Sequence, residues 1–226
     1  VIKIPGTSTK LIVFTGLGEH KSTFADETLR RAAGSAARAL SGNTSATFAL
    51  PVKSVSAISA IAEGALLGAY SFNKFRVDSL VSRQAGLKSI TIHSALAKQS
   101  DAKQALNSAA IIGEYTTLVR DLINTPPSHL TPDSFCKEFA ALVKKVGGSA
   151  IGLKVTVLNE TQLKSKGYGG ITAVGQGSAN PPRLLQISYT PVKVKAKKSY
   201  AYVGKGITFD TGGLALKPAA GMEAMK

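Results

Sequence analysis

The chain has 226 residues, with 28 Lys and Arg against 13 Asp and Glu, for a formal charge of +15 at pH 7. Hydrophobic residues at 44% and charged residues at 18% mark a globular composition and exclude a charge-driven disordered chain. No apolar stretch is long enough to span a bilayer, no signal-peptide layout opens the chain, and the single Cys136 cannot form an internal disulfide, which fits a reducing compartment.

Strand and helix signals alternate along the chain, which predicts α/β architecture. KLIVFTGLG (10–18) reads as a buried strand running into a glycine turn. Residues 22–40 place Phe24, Leu29, Ala32, Ala33, Ala36, Ala37 and Leu40 at helical spacing, with Thr23 and Asp26 as a capping box and Gly42 as the stop. ATFAL (46–50) reads as a strand. Residues 54–70 read as a helix with Val55, Ile58, Ala62, Leu66 and Ala69 on one face, and KSITIHS (88–94) alternates as a strand should. Residues 101–124 carry the longest helical pattern, which Pro126 and Pro127 stop. Thr131 as N-cap and Pro132 in the first helical position open another helix, with Phe135, Phe139, Leu142, Val143 and Val146 on its face and Gly147 and Gly148 after its end. Residues 153–158, 171–174, 183–189 and 199–209 are strand candidates. The expected organisation is an N-terminal α/β domain over 1–100, a long connector helix over 101–125, and a second α/β unit with a mixed sheet over 126–226.

Few residues carry chemistry. His20, His93 and His129 are far apart and match no metal-binding spacing, and Cys136 inside an amphipathic helix reads as a small core residue. The glycine-rich run GYGGITAVGQGS (167–178) fits neither phosphate-loop register and reads as a strand flanked by turns. VGKGITFDTGGLALKP (203–218) differs, because Lys205, Asp210 and Lys217 sit among Gly204, Gly206, Gly212 and Gly213, which permit the bend that would bring their charged ends together. The residues themselves leave two readings open: a shared site, or a surface Lys–Asp pair of little energetic value.

Three segments in order resemble the cytosolic leucyl aminopeptidases, a family of dinuclear metallo-exopeptidases. LVRDLINTPPSHLTPDSF (118–135) looks like that family's connector helix and the start of its catalytic domain. GYGGITAVGQGSANPPRLLQISY (167–189) is similar to the next block, and VGKGITFDTGGLALKPAAGMEAMK (203–226) to the metal-site signature. The resemblance is strong over about half the chain. It implies that residues 126–226 begin a metallopeptidase catalytic domain, and that the chain, which stops at Lys226 in mid-element, carries only part of an active site.

Carried over position by position, the resemblance implies Lys205 as ligand of one metal and Asp210 as a carboxylate bridging two divalent ions, zinc or manganese. It implies Lys217 as the cation that polarises the scissile carbonyl, and Met225 as lining for a leucine-like side chain. It further implies peptide substrates, a homo-hexamer and a cytoplasmic location without membrane attachment. Ligands beyond Lys205 and Asp210 fall past Lys226, so the chain alone is expected to be inactive. The leading expectation is therefore an aminopeptidase that releases N-terminal leucine-like residues by two-metal activation of water. The alternatives are a basic DNA-binding or architectural protein, DNA then being a secondary partner at most, or a catalytically inactive structural member of the family. From residue 161 onward ten Lys and Arg face only Asp210 and Glu223, and because the acidic ligands implied by the resemblance fall past Lys226, the chain is expected to overstate the basicity of the whole protein. Positive charge by itself gives only non-specific, salt-sensitive affinity for nucleic acid.

Overall fold

Two compact units, Val1–Asn124 and Thr125–Lys226, emerge in the computed structural model, which describes residues 11–80, 85–195 and 198–225. Each unit is a mixed α/β structure with a small sheet.

In the first unit, α1 (Asp26–Ala39) and α2 (Val55–Gly68) flank β1 (Ser45–Phe48), which pairs in parallel with β2 (Ser89–Ile92) in the register Ser45 to Ser89 through Phe48 to Ile92. A parallel pair needs a crossover, and α2 lies in the segment that supplies it. The core joins Leu29, Ala33, Ala36 and Ala37 of α1 to Ala57, Ile61 and Ala65 of α2, with Phe48 from β1. Small residues let the two helix backbones meet: a Cβ added at Gly64 would collide with the Arg30 carbonyl, and one at Gly68 with that of Gly34. Arg30 Nε reaches across this crossing to Glu63 at 3.0 Å.

The helix expected over 101–124 is α3 (Ser100–Asn124), and it packs along α2 within the first unit. Gly113 brings it against Leu66. Near its end, the Arg120 guanidinium lies 3.8 Å over the Tyr70 ring and donates to the Leu67 carbonyl at 2.8 Å, while the Tyr70 hydroxyl donates to Asp121 at 2.7 Å. No described helix is long and apolar enough to cross a membrane.

In the second unit, α4 (Pro132–Lys145) starts as its sequence dictates. Thr131 Oγ1 accepts from the Ser134 amide, and the Ser134 hydroxyl accepts in return from the Thr131 amide. Gly147 and Gly148 follow with φ of +122° and +52°. Then come β3 (Leu153–Leu158), α5 (Glu160–Ser165), α6 (Gly169–Gly175), β4 (Leu184–Tyr189) and the single turn α7 (Ala219–Met222). β3 and β4 pair antiparallel, from Leu153 with Tyr189 to Leu158 with Leu184.

Four expectations require correction. Residues 171–174 are helical within α6, because a short apolar run bounded by glycines has no strand period of its own and takes the state its surroundings favour. The stretch 199–209 forms no strand: no ladder partner meets it among the described residues, and Tyr202 and Val203 are almost fully exposed. A strand is a pairing, and apolar, β-branched composition alone does not supply one. Residues 11–18 likewise form only an isolated bridge at Ile12, although Val13 and Leu17 pack on the core; Lys10 lies outside the described residues. The Thr23–Asp26 capping box is absent, since Phe24 packs on the core and the helix begins two residues later, from Ala25 without a side-chain cap.

Candidate functional site

The segment after β4 folds into a loop around Asp210. The Gly212 amide donates to Asp210 Oδ1 at 2.9 Å, and the Lys217 ammonium reaches Oδ2 at 2.9 Å and the Asp210 carbonyl at 3.0 Å. The Lys217 amide donates to the Thr211 carbonyl at 2.9 Å, closing the loop through the backbone as well. Such tightness needs left-handed backbone, and Gly212 and Gly213 provide it with φ of +95° and +63°. A Cβ on Gly212 would strike the Ala215 carbonyl and approach Lys217 Cγ to 3.2 Å. On the other side, the Asp210 amide donates to the Met225 carbonyl at 3.1 Å, which ties the carboxylate to the turn after α7.

Electrostatics follow from this geometry. The hydrogen bond from Lys217, then that from the Gly212 amide, holds the Asp210 carboxyl below the usual carboxylate range, and the charge of Lys205 adds to the effect. Asp210 therefore carries its charge at neutral pH in the company of two cations. The side chain of Asp210 is 51% exposed and that of Lys217 29%, so the pair is open to a ligand from solvent.

The structure thus brings Asp210 and Lys217 into direct contact and Met225 against the Asp210 backbone, and sets Lys205 close enough for its charge to act on Asp210. Of the four glycines expected to bend the segment, only Gly212 and Gly213 have positive φ. Lys205 and Asp210 also line a cleft of about 1120 Å³ within the second unit, whose wall includes Phe135, Gly175 and Arg183.

Arg183 escaped the sequence reading. Its side chain is only 15% exposed; it pairs with Asp133 in the first turn of α4 and Glu160 in the first turn of α5, and donates to the Pro182 carbonyl at 3.0 Å. An arginine directly after two prolines at a strand start was the available signal, since that backbone offers it carbonyls. Cys136 also lines the cleft, but burial pushes its thiol up, against thiolate formation.

The donor set fits one side of a divalent-cation site: an ionised, partly exposed carboxylate oriented by a backbone amide, with an amine nearby. Two ions need several donors each. Among the described residues no group of three or more His, Cys, Asp or Glu gathers to provide them.

Comparison with known proteins is consistent across sequence and structure. Residues 1–79 match the cytosol aminopeptidase family's N-terminal domain, and residues 117–226 its catalytic domain. A probable cytosol aminopeptidase of Streptomyces coelicolor is 42% identical over 245 residues, covering 100% of this chain and 46% of that protein. Among solved structures, the bottromycin maturation enzyme BotP in complex with Mn is 32% identical with a TM-score of 0.76, over 94% of this chain and 43% of that one. A mutant of tomato leucine aminopeptidase is 25% identical with a TM-score of 0.75, over 85% and 39%. The chain spans about half the length of the curated relatives it matches.

Proposed function

Because the chain belongs to the cytosol aminopeptidase family, we propose that the full-length protein is a metal-dependent aminopeptidase that releases N-terminal leucine-like residues from peptides. The observation that carries this reading is the loop after β4, where Gly212 and Lys217 orient an ionised Asp210 that also feels the charge of Lys205. When bound, a pair of divalent ions supplies an activated water and a hold on the free α-amine. In this reading Asp210 and the neutral amine of Lys205 are two of the donors to those ions. Lys217 meets the negative charge that develops on the scissile carbonyl oxygen, an interaction stronger in the transition state than in the ground state. Met225, half-buried, lines the pocket for the departing residue, where a flexible thioether adapts to leucine-like shapes.

Manganese or zinc as the ions, a homo-hexameric assembly and a cytosolic location belong to the same proposal. The manganese-bound relative supports the choice of metal, and the names of the curated relatives support the location. DNA binding is the weaker reading, supported only by the +15 charge.

Hydrolysis of leucyl amides by the full-length protein, with bound metal measured in parallel, is the test. Asp210→Ala is expected to abolish turnover, and Asp210→Asn to be nearly as damaging because it keeps the shape and loses the charge. Lys205→Ala is expected to lose metal first. Lys217→Ala is expected to retain metal and to lower kcat by about 10²–10³. Near-normal turnover in a metal-loaded Asp210→Asn protein would refute the assignment, and equal metal loss in the two lysine variants would refute the division of roles.

A further inference from the structure

Arg183 joins pieces of the second unit that lie far apart in sequence. Its Nε pairs at 3.4 Å with Asp133 in the first turn of α4, and its Nη1 pairs with Glu160 in the first turn of α5 and donates to the Pro182 carbonyl. Pro182 in turn abuts α6, since a Cβ added at Gly175 would come within 2.5 Å of its ring. Among the described residues no other ion pair links α4 to α5 or to the start of β4; Lys137 also meets Asp133, but from within α4. The elements gathered in this way supply Phe135, Gly175 and Leu184 to the cleft that Lys205 and Asp210 also line. We propose that Arg183 is a positioning residue of the aminopeptidase site: it sets where the Phe135 wall of the cleft stands relative to Lys205 and Asp210, and so how well a peptide is held there. The inference rests on the reading of Lys205 and Asp210 given above and adds to it a group that shapes substrate binding from a distance.

Arg183 acts through the wall and not on the peptide. Its Nε and Nη1 are both engaged, its charge faces two carboxylates, and only 15% of its side chain is exposed, which leaves little to offer a substrate carboxylate. A planar, forked guanidinium can hold two carboxylates in fixed directions at once, a task for which the point charge of a lysine is poorly suited. Asp133 and Glu160 keep 43% and 47% of their side chains exposed, so water can take over their solvation when the arginine is removed. Loss of Arg183 therefore frees the wall without leaving a buried charge behind. The groups assigned to the metal ions and to the developing oxyanion, Asp210, Lys205 and Lys217, are not among its partners. The loss falls on binding shared by ground and transition states, which shows in KM and spares kcat.

The experiment measures kcat and KM for a leucyl dipeptide, leucyl-phenylalanine, with the full-length protein, and bound metal alongside. Arg183→Met removes the tether from one end. Asp133→Asn combined with Glu160→Gln removes it from the other and keeps the arginine charge. Arg183→Met is expected to raise KM about tenfold, the low end for one apolar contact with substrate, with kcat within about twofold and metal content unchanged. The double variant is expected to move KM in the same direction, and Arg183→Lys to fall between Arg183→Met and the unsubstituted protein. A charge acting directly on the peptide would move KM in opposite directions in Arg183→Met and the double variant. A merely structural role would lower Tm and the active fraction at constant KM. Either result overturns the inference. If Arg183→Met fails to fold, Arg183→Lys and the double variant decide the matter. A full-length protein that hydrolyses no leucyl peptide removes the functional reading and this inference together. A protein that hydrolyses them, loses turnover in Asp210→Asn and keeps its KM in all the Arg183, Asp133 and Glu160 variants removes the inference alone.

Discussion

Replacing Gly64 by alanine probes the helix crossing on which the first unit rests. The added methyl would lie 2.8 Å from the Arg30 carbonyl carbon and 2.9 Å from its Cα, and would overlap the carbonyl oxygen. All three are backbone atoms of α1, so no rotamer change relieves the overlap, and α1 must retreat by roughly 1 Å against close-packed neighbours. That retreat loosens Leu29, Ala33 and Ala37 against Ile61 and Ala65 and pulls Arg30 from Glu63. Overpacking of this kind costs about 3 kcal/mol at the upper end of its usual range. Alanine recovers about 1 kcal/mol of helix propensity over glycine. The net loss is about 2 kcal/mol, which corresponds to about 4–8 °C in Tm for a chain of this size. Gly113→Ala is the control, because the atoms nearest its methyl belong to the Leu66 side chain, which can turn aside. It is expected to cost under about 1 kcal/mol. Urea unfolding followed by circular dichroism measures both. A Gly64→Ala protein with an unchanged or higher midpoint would show that the two helix backbones do not touch there.

Two further outcomes follow from the second unit. Thr131→Ala removes the acceptor that caps α4 and is expected to cost about 1 kcal/mol in urea unfolding, with Thr131→Ser retaining most of the stability. The Asp133 carboxyl is held below its usual range, first by its hydrogen bond from Lys137 and also by Arg183. A depressed folded-state value stabilises above the unfolded value near about pH 4, and that contribution is lost as pH falls through the folded value. Asp133→Asn should therefore flatten the acid limb of the stability–pH curve, and an unaltered acid limb would refute the pairing.

Some local signals were legible in the sequence, although the one at Thr23 and Asp26 misled. Thr131 and Ser134 set the start of α4 by hydrogen bonds that span only three residues, with Pro132 in its first turn, and the alternation in β2 needs only its own chain. The core face of α1 was also legible, since Leu29, Ala32, Ala33, Ala36 and Ala37 recur at helical spacing and are all buried. The face expected for α2 was too narrow. Ala57, Ile61 and Ala65 are buried beside Ile58 and Ala62, because α1 and α3 cover the helix from two sides and a helix covered twice shows no single stripe. ITAV at 171–174 and the stretch 199–209 escaped because their state depends on partners remote in sequence. At the candidate site, the motif named Asp210 and Lys217, but their direct contact depends on the φ values of Gly212 and Gly213, and the sequence states only that such values are allowed.

The double covering of α2 has a consequence for how the first unit opens. Peeling away α1 or α3 would leave a helix whose exposed surface is mostly Ala, Ile and Gly, a state with little to recommend it in water. The three helices should therefore part together, and the amides of α2 should exchange with deuterium only when the whole unit unfolds. The backbone of 199–209, with no ladder to protect it, should exchange at close to the rate of an open chain. Among the described residues, slow and fast protons would then lie in separate units, with the candidate site's carboxylate next to the fast ones.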